Sequence, residues 1–232
     1  MQNDIDAAVL KRMFLAGAAR LESSKEWINE LNVFPVPDGD TGTNMTLTLL
    51  SAVKEISASG SDATIEEVCR KIATGTLRGA RGNSGVIMSQ LCRGFTKEAG
   101  TRESIDALVI ASAFERAVST AYKAVMKPKE GTILTVAKGA ANKAAELAGS
   151  DISLENFMKE IIKYSEHVLE KTPNMLPVLK EAGVVDSGGQ GLVEFFKGAL
   201  EGYQGREVKF DTDATASVSK PSERKVDSSA IS

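Results

Sequence analysis

The chain has 232 residues, 42% hydrophobic and 25% charged, with a net charge of −3, the profile of a soluble globular protein long enough for one large or two small domains. The two signs of charge are interspersed and no basic face is visible, which argues against nucleic acid or an anionic membrane as partner. No uninterrupted run of about 18 apolar residues occurs, so neither a membrane span nor a signal peptide is expected.

Aromatic residues make up 5% of the chain and alanine is plentiful, a balance that favours helices. Residues 4–21 carry Ile5, Val9, Met13, Gly17 and Leu21 at four-residue steps, one stripe of an amphipathic helix. A connection near residue 22 and a short helix over residues 25–31 follow. Leu49, Leu50, Val53 and Ile56 mark a helix from about residue 43, ended by the Ser-Gly-Ser cluster near residue 60. Thr64, with Glu67 three positions on, predicts a capping box opening the next helix. Ile87, Leu91 and Phe95 mark another. A long helix opens at Ser104 and runs to about residue 125, and residues 132–148 follow as an alanine- and glycine-rich segment. Residues 153–170 show the cleanest period, with Leu154, Phe157, Met158, Ile161, Ile162, Ser165, Val168 and Leu169 on one face. A proline-bearing connection at 172–177 precedes the last helix, which ends near residue 202. Past Phe210 the composition turns to Ser, Thr, Asp, Ala and Lys, which cannot bury enough apolar surface to order itself. The expected division is therefore a helical unit over residues 1–205 and a linker or disordered tail over 206–232. Cys69 and Cys92 fall inside apolar helical patterns without metal-ligand spacing, as reduced thiols of a cytoplasmic protein would.

Four connections stand out. The first, Asn-Val-Phe-Pro-Val-Pro-Asp-Gly-Asp-Thr-Gly-Thr-Asn at 32–44, is held out of helix by its prolines and presents Asp38 and Asp40 at alternate positions. These carboxylates suit a cation, or, as ordinary turn aspartates, the capping of the helix that follows. Thr41, Thr43 and Asn44 are short side chains suited to a helix N-terminus. The others are the glycine-rich stretch at 78–85, residues 126–131, and Asp-Ser-Gly-Gly-Gln-Gly at 186–191. Consecutive helices joined by short connections run antiparallel, so every second connection lies at the same end. Plain connections near residues 22, 60, 101 and 150 alternate with the four rich ones, which are therefore expected at one rim. That rim gathers four helix N-termini, each worth about 0.3–1 kcal/mol toward an adjacent anion, and carboxylates beside such termini point to a metal and a phosphate. Neither Gly-x-x-x-x-Gly-Lys-Ser/Thr nor Gly-x-Gly-x-x-Gly after a strand is present, which sets aside the P-loop and Rossmann classes.

With these loops in place, the sequence resembles the L-subunit family of dihydroxyacetone kinases, and within it the N-terminal kinase domain of bacterial fatty acid kinases. The resemblance rests on residues 32–44, on Gly-Ala-Arg-Gly-Asn-Ser-Gly at 79–85, on Lys-Pro-Lys-Glu-Gly-Thr-Ile-Leu at 127–134 and on Val-Val-Asp-Ser-Gly-Gly-Gln-Gly at 184–191. It implies an all-α antiparallel barrel of about eight amphipathic helices that holds ATP or ADP at one rim through two Mg²⁺ ions. Position by position, Asp38 and Asp40 would be metal ligands. Thr41, Gly42, Thr43 and Asn44, with Asn83 and Ser84, would hold phosphates. Thr132 and Ile133 would lie near the adenine, and Asp186, Ser187 and Gly188 would close the nucleotide site. Dihydroxyacetone kinase L subunits carry a third aspartate about five residues before the pair; here Asn32 would offer a neutral oxygen instead, lowering the ligand charge. The activity implied is phosphoryl transfer from ATP to a fatty acid carboxylate presented by a separate fatty-acid-binding protein, with later domains completing the machine. The alternative within the same family is an ADP-holding subunit that serves a phosphotransferase system. The resemblance leaves room for a homodimer. His167 lies outside every motif and reads as a helix residue, and Phe157 and Met158 read as core.

Overall fold

The structure, a computed structural model, describes residues 4–60, 62–208 and 210. Among these residues the chain is helical: α1 (Ala7–Glu30), α2 (Thr41–Ser57), α3 (Ile65–Gly79), α4 (Gly82–Ala99), α5 (Ala107–Ala124), α6 (Ile133–Leu147), α7 (Leu154–Glu170), the short α8 (Thr172–Met175) and α9 (Pro177–Ala182), and α10 (Ser187–Tyr203). The eight long helices form a closed ring. Each packs on the next from α1 to α7, α7 packs on α10, and α10 returns to α1 in the most extensive pairing of all. Of the tail expected over 206–232, residues 206–208 and 210 are described, and 209 and 211–232 lie outside the described residues.

α1 runs unbroken through residue 22, so the break expected there does not exist. The Glu22-Ser23-Ser24 stretch reads as a polar connection, yet Ser23 Oγ donates to Arg20 O within the helix, and Leu21 and Ile28 on either side are fully buried. A helix-compatible serine bond and continuous burial outweigh local polarity. The seam with α10 explains why the helix persists. A Cβ on Gly198 would lie 2.5 Å from Ala16 O, and one on Gly202 would lie 2.7 Å from Arg12 O, so the two backbones touch. Arg20 Nε then pairs with the buried Glu194 at 2.8 Å, and Arg12 Nε donates to Gly202 O at 2.6 Å.

α5 begins at Ala107 rather than at Ser104. Ile105 is used instead in an isolated antiparallel bridge with Ile5, the two residues exchanging N–H···O bonds of 2.8 and 3.0 Å. That bridge ties the start of α1 to the α4–α5 connection. The 172–177 connection contains α8 and α9, in which Pro173 and Pro177 occupy first-turn positions, where proline is tolerated. The capping box of Thr64 and Glu67 is present, as is the helix read over 153–170, capped by Ser153.

The interior of the ring is apolar. Phe157 is fully buried and Met158 lines a cavity of about 160 Å³ together with Phe14, Met88, Phe114 and Leu192. Cys69 and Cys92 are both buried, and burial pushes each thiol up to about 12. His167 is exposed in the last turn of α7. Among the described residues no helix is long and apolar enough to cross a membrane.

Candidate functional site

Loss of the break at residue 22 leaves the alternation intact, because that break was the first connection in the series and those after it still alternate. The four rich connections now follow α1, α3, α5 and α7, and side-chain contacts join all of them at one rim. A Cβ on Gly82 would meet Asn44 Nδ2 at 2.3 Å, one on Gly131 would sit 3.0 Å from Met175 Cβ, and one on Gly188 would sit 3.2 Å from Ile133 Cβ. Ser187 Oγ donates to Thr41 Oγ1 at 3.2 Å, and Ser84 Oγ donates to Thr41 O at 3.5 Å.

The two ends of the ring treat their helix N-termini differently. At the plain end every long helix is capped by its own N-cap side chain: Asp6 accepts from Val9 N, Thr64 from Glu67 N, Asp106 from Val109 N and Ser153 from Asn156 N. At the rim the N-cap residues of α2, α4 and α6 (Asp40, Arg81 and Thr132) make no such bond. α6 is instead reached from across the rim, where the Asp186 carboxylate faces Ile133 N while accepting from Gly189 N of its own helix. That leaves the first two N–H groups of α2 and the first N–H groups of α4 without a partner among the described residues. Free first-turn donors are what an anion needs from a helix.

Asp40 sits at the N-cap of α2 without capping it. The work is done by Asn29 in the last turn of α1, whose Oδ1 accepts from Thr43 N at 3.1 Å while its Nδ2 donates to Thr43 Oγ1 at 3.0 Å. Asn32 shapes the loop in between. It is 6% exposed, its Nδ2 donates to Phe34 O and Val36 O, and its Oδ1 accepts from Asp40 N at 3.3 Å. An amide committed to three backbone groups shapes the loop, and its Oδ1, which accepts from one of them, keeps a second lone pair. Gly39, at φ +67, lies in the left-handed region that glycine adopts without penalty. Between them, Asn32 and Gly39 leave the carboxylates of Asp38 and Asp40 without a hydrogen bond or ion pair among the described residues. Asp38 is exposed and Asp40 half-buried.

The remaining site candidates divide by exposure. Asn83 is exposed; Thr43, Asn44, Ser84 and Thr132 are half-buried. Gly42 is buried with its Cβ position 2.2 Å from Lys25 O, so glycine is required there to press α2 against α1. Ile133 is 4% exposed, Asp186 5% and Ser187 3%. Burial pushes the Asp186 carboxyl up to about 7 against the opposing pull of its two backbone bonds. Beside Thr132, the connection is braced by Glu130, which accepts from Tyr122 Oη at 3.2 Å and Thr135 Oγ1 at 2.7 Å. Asn29 and Glu130 are functional supports that sequence patterns did not show. Among the described residues no group of three or more His, Cys, Asp or Glu gathers as a metal cluster. Two free carboxylates beside open N–H groups fit magnesium, which takes one or two protein carboxylates and fills its shell with water and phosphate oxygens.

A DAK2 domain model matches residues 35–201, a span that holds three of the four rich connections whole and the first from Pro35 onward. The chain belongs to the DAK2 domain family. This DAK2 domain is 49% identical over 204 residues to protein YloV of Bacillus subtilis, covering 88% of the chain and 37% of that relative. It is 47% identical over 208 residues to the uncharacterized protein SSP1546 of Staphylococcus saprophyticus, covering 90% of the chain and 38% of that relative. The chain thus spans less than two fifths of the length of these relatives. The dihydroxyacetone kinase of C. freundii, solved in complex with AMP-PNP and Mg²⁺, superimposes with a TM-score of 0.62 at 15% identity over 84% of this chain and 34% of that one. Its native form gives 0.58 at 17% identity, over 87% and 35%. The DAK2 domain therefore shares its fold with about a third of the dihydroxyacetone kinase chain.

Proposed function

We propose that this DAK2 domain binds ATP with magnesium at the rim and transfers the terminal phosphoryl group to a fatty acid carboxylate presented by a partner protein. The observation that carries the reading is the pair Asp38 and Asp40, freed from capping by Asn29 and placed beside the open Thr41 N–H and the uncapped N-terminus of α4. Asp38 and Asp40 would hold the metal. The N–H groups of Thr41, Gly82, Asn83 and Ser84 would bind phosphate oxygens, with Thr132 and Ile133 on the adenine side. When bound, magnesium neutralises charge on the phosphates.

The carboxylate oxygen of the acceptor bonds to the terminal phosphorus as the bridging phosphate bond breaks, giving an acyl phosphate and ADP. A carboxylate arrives already deprotonated at neutral pH, so the transfer asks the domain for positioning and charge stabilisation rather than for a base. Support for an acceptor carried by another protein comes from surface composition. Trp27, Val36, Leu77, Val86, Met126 and Met175, six of the nine large exposed hydrophobic residues among those described, belong to the rim end of their elements, and gathered apolar exposure marks contact surfaces. The motif resemblance at 32–44 favours the fatty acid acceptor over the ADP-holding role.

Exchange separates the two. A kinase domain loaded with fluorescent ADP and magnesium is expected to release it within seconds to minutes of adding excess ATP. Retention of the label through gel filtration and an ATP chase would instead identify the ADP-holding subunit.

A further inference from the structure

Several rim hydrogen bonds meet at Asp186. Its Oδ2 accepts from Gly189 N at 2.7 Å in the first turn of α10, and its carboxylate faces the N–H of Ile133, the first residue of α6, whose Cβ lies 3.2 Å from where a Cβ on Gly188 would sit. Its own N–H donates to Thr172 Oγ1 at 3.1 Å, and Thr172 Oγ1 donates to Leu169 O at 2.7 Å, so the end of α7 is drawn in as well. One residue on, Ser187 Oγ donates to Thr41 Oγ1. The sequence of bonds therefore runs from the third rich connection, through residues 186 and 187, to the first turn behind the two free aspartates.

The carboxylate is buried and its identified partners are backbone N–H groups, an arrangement that fixes helix ends rather than offering a ligand group to solvent. Burying a charge of this kind is costly unless it is hydrogen-bonded, and here it is bonded to the first turn of its own helix while facing the first turn of α6. A second helix is what an ordinary N-cap lacks.

We infer that Asp186 is a positioning residue, which holds the first turns of α6 and α10 in one relation and so sets the distance between the Thr132–Ile133 side of the rim and the Thr41–Ser187 side. The inference rests on the nucleotide reading above. Asparagine at this position has one accepting oxygen and turns an NH₂ toward groups that are themselves donors, so the two first turns move apart. A nucleotide must span both sides. Pyrophosphate with magnesium occupies the phosphate side alone.

The test is calorimetric titration of the full chain, of Asp186→Asn and of Thr64→Ala with Mg·ADP and, separately, Mg·pyrophosphate, alongside thermal melts. Thr64→Ala removes a cap at the plain end and controls for lost stability. Asp186→Asn is expected to weaken Mg·ADP by about tenfold or more and Mg·pyrophosphate by no more than about twofold. Thr64→Ala is expected to leave both within about twofold. If Asp186→Asn does not fold, Thr172→Val, which loosens the same junction from α8, is expected to show the same split between the two probes at smaller size. Equal loss of both probes, or undiminished Mg·ADP binding, in a folded variant overturns the inference alone. Wild-type chain that takes up neither probe overturns the nucleotide reading and this inference with it.

Discussion

An aspartate at the first position of a helix ordinarily accepts a bond from the backbone two or three residues on. Asp6, Asp106 and Asp186 do so; Asp40 does not. The difference lies in Asn29, which occupies Thr43 N from outside the helix. Asn29→Ala should therefore lower stability by about 0.5–2 kcal/mol, the usual cost of a lost cap, read as a drop in melting temperature. Asp38 and Asp40 were legible in the sequence because paired acids between prolines and glycines are rare. Asn29 was not, since it lies in the last turn of α1 and its partner is 14 residues away; local pattern does not reveal a bond between elements. Asn32 was read as an offered oxygen, and its hydrogen bonds add a loop-shaping role that local pattern did not reveal. Asp186 also carries a pH prediction. Its carboxyl is raised from 3.8 to about 7 by burial, so between these values the folded state binds more protons than the unfolded one. Stability contributed at this position is then greatest below about pH 4, falls as pH rises toward 7 and levels off above it, by at most about 1.4 kcal/mol per pH unit. Denaturant melts of Asp186→Asn across pH 4 to 8 should lack that slope relative to wild type.

Among the elements, periodicity was sufficient wherever a helix has one buried face, as α7 and the capped start of α3 show. It failed at two places for different reasons. In α1 the polar stretch at 22–24 hid a continuous helix whose persistence comes from packing on α10. At 172–182 prolines concealed two short helices, because a proline in a first turn looks the same in sequence as one in a connection. The α1–α10 seam depends on missing side chains. Gly198→Ala places a methyl group 2.5 Å from Ala16 O, a contact with backbone that cannot rotate away. The expected loss is about 1–3 kcal/mol, typical of overpacking, measured by chemical denaturation. Nothing in the composition singled out Gly198 and Gly202 from the other glycines, since close approach is a property of two helices.

For the whole molecule, alternation of plain and rich connections was enough to predict that the rich ones share one rim, and the contacts of Thr41 with Ser84 and Ser187, of Asn44 with Gly82 and of Gly131 with Met175 place them together. α10 runs from that rim to the plain end, where the Ile5–Ile105 bridge holds the start of the chain. Ile5 and Tyr203, near the two ends of the described residues, thus both lie at the end opposite the rim. What the sequence could not show was how the two ends differ in capping, because a cap is recognised by geometry and not by residue type alone: Asp40 and Asp106 look alike until their partners are known. The most direct measurement is calorimetric titration of the full chain with ADP in the presence and absence of magnesium, repeated on the double variant Asp38→Ala/Asp40→Ala. Magnesium-dependent binding by the wild type that disappears in the folded double variant is the predicted result. Binding that persists unchanged in the variant, with magnesium still required, would contradict the assignment of these two carboxylates.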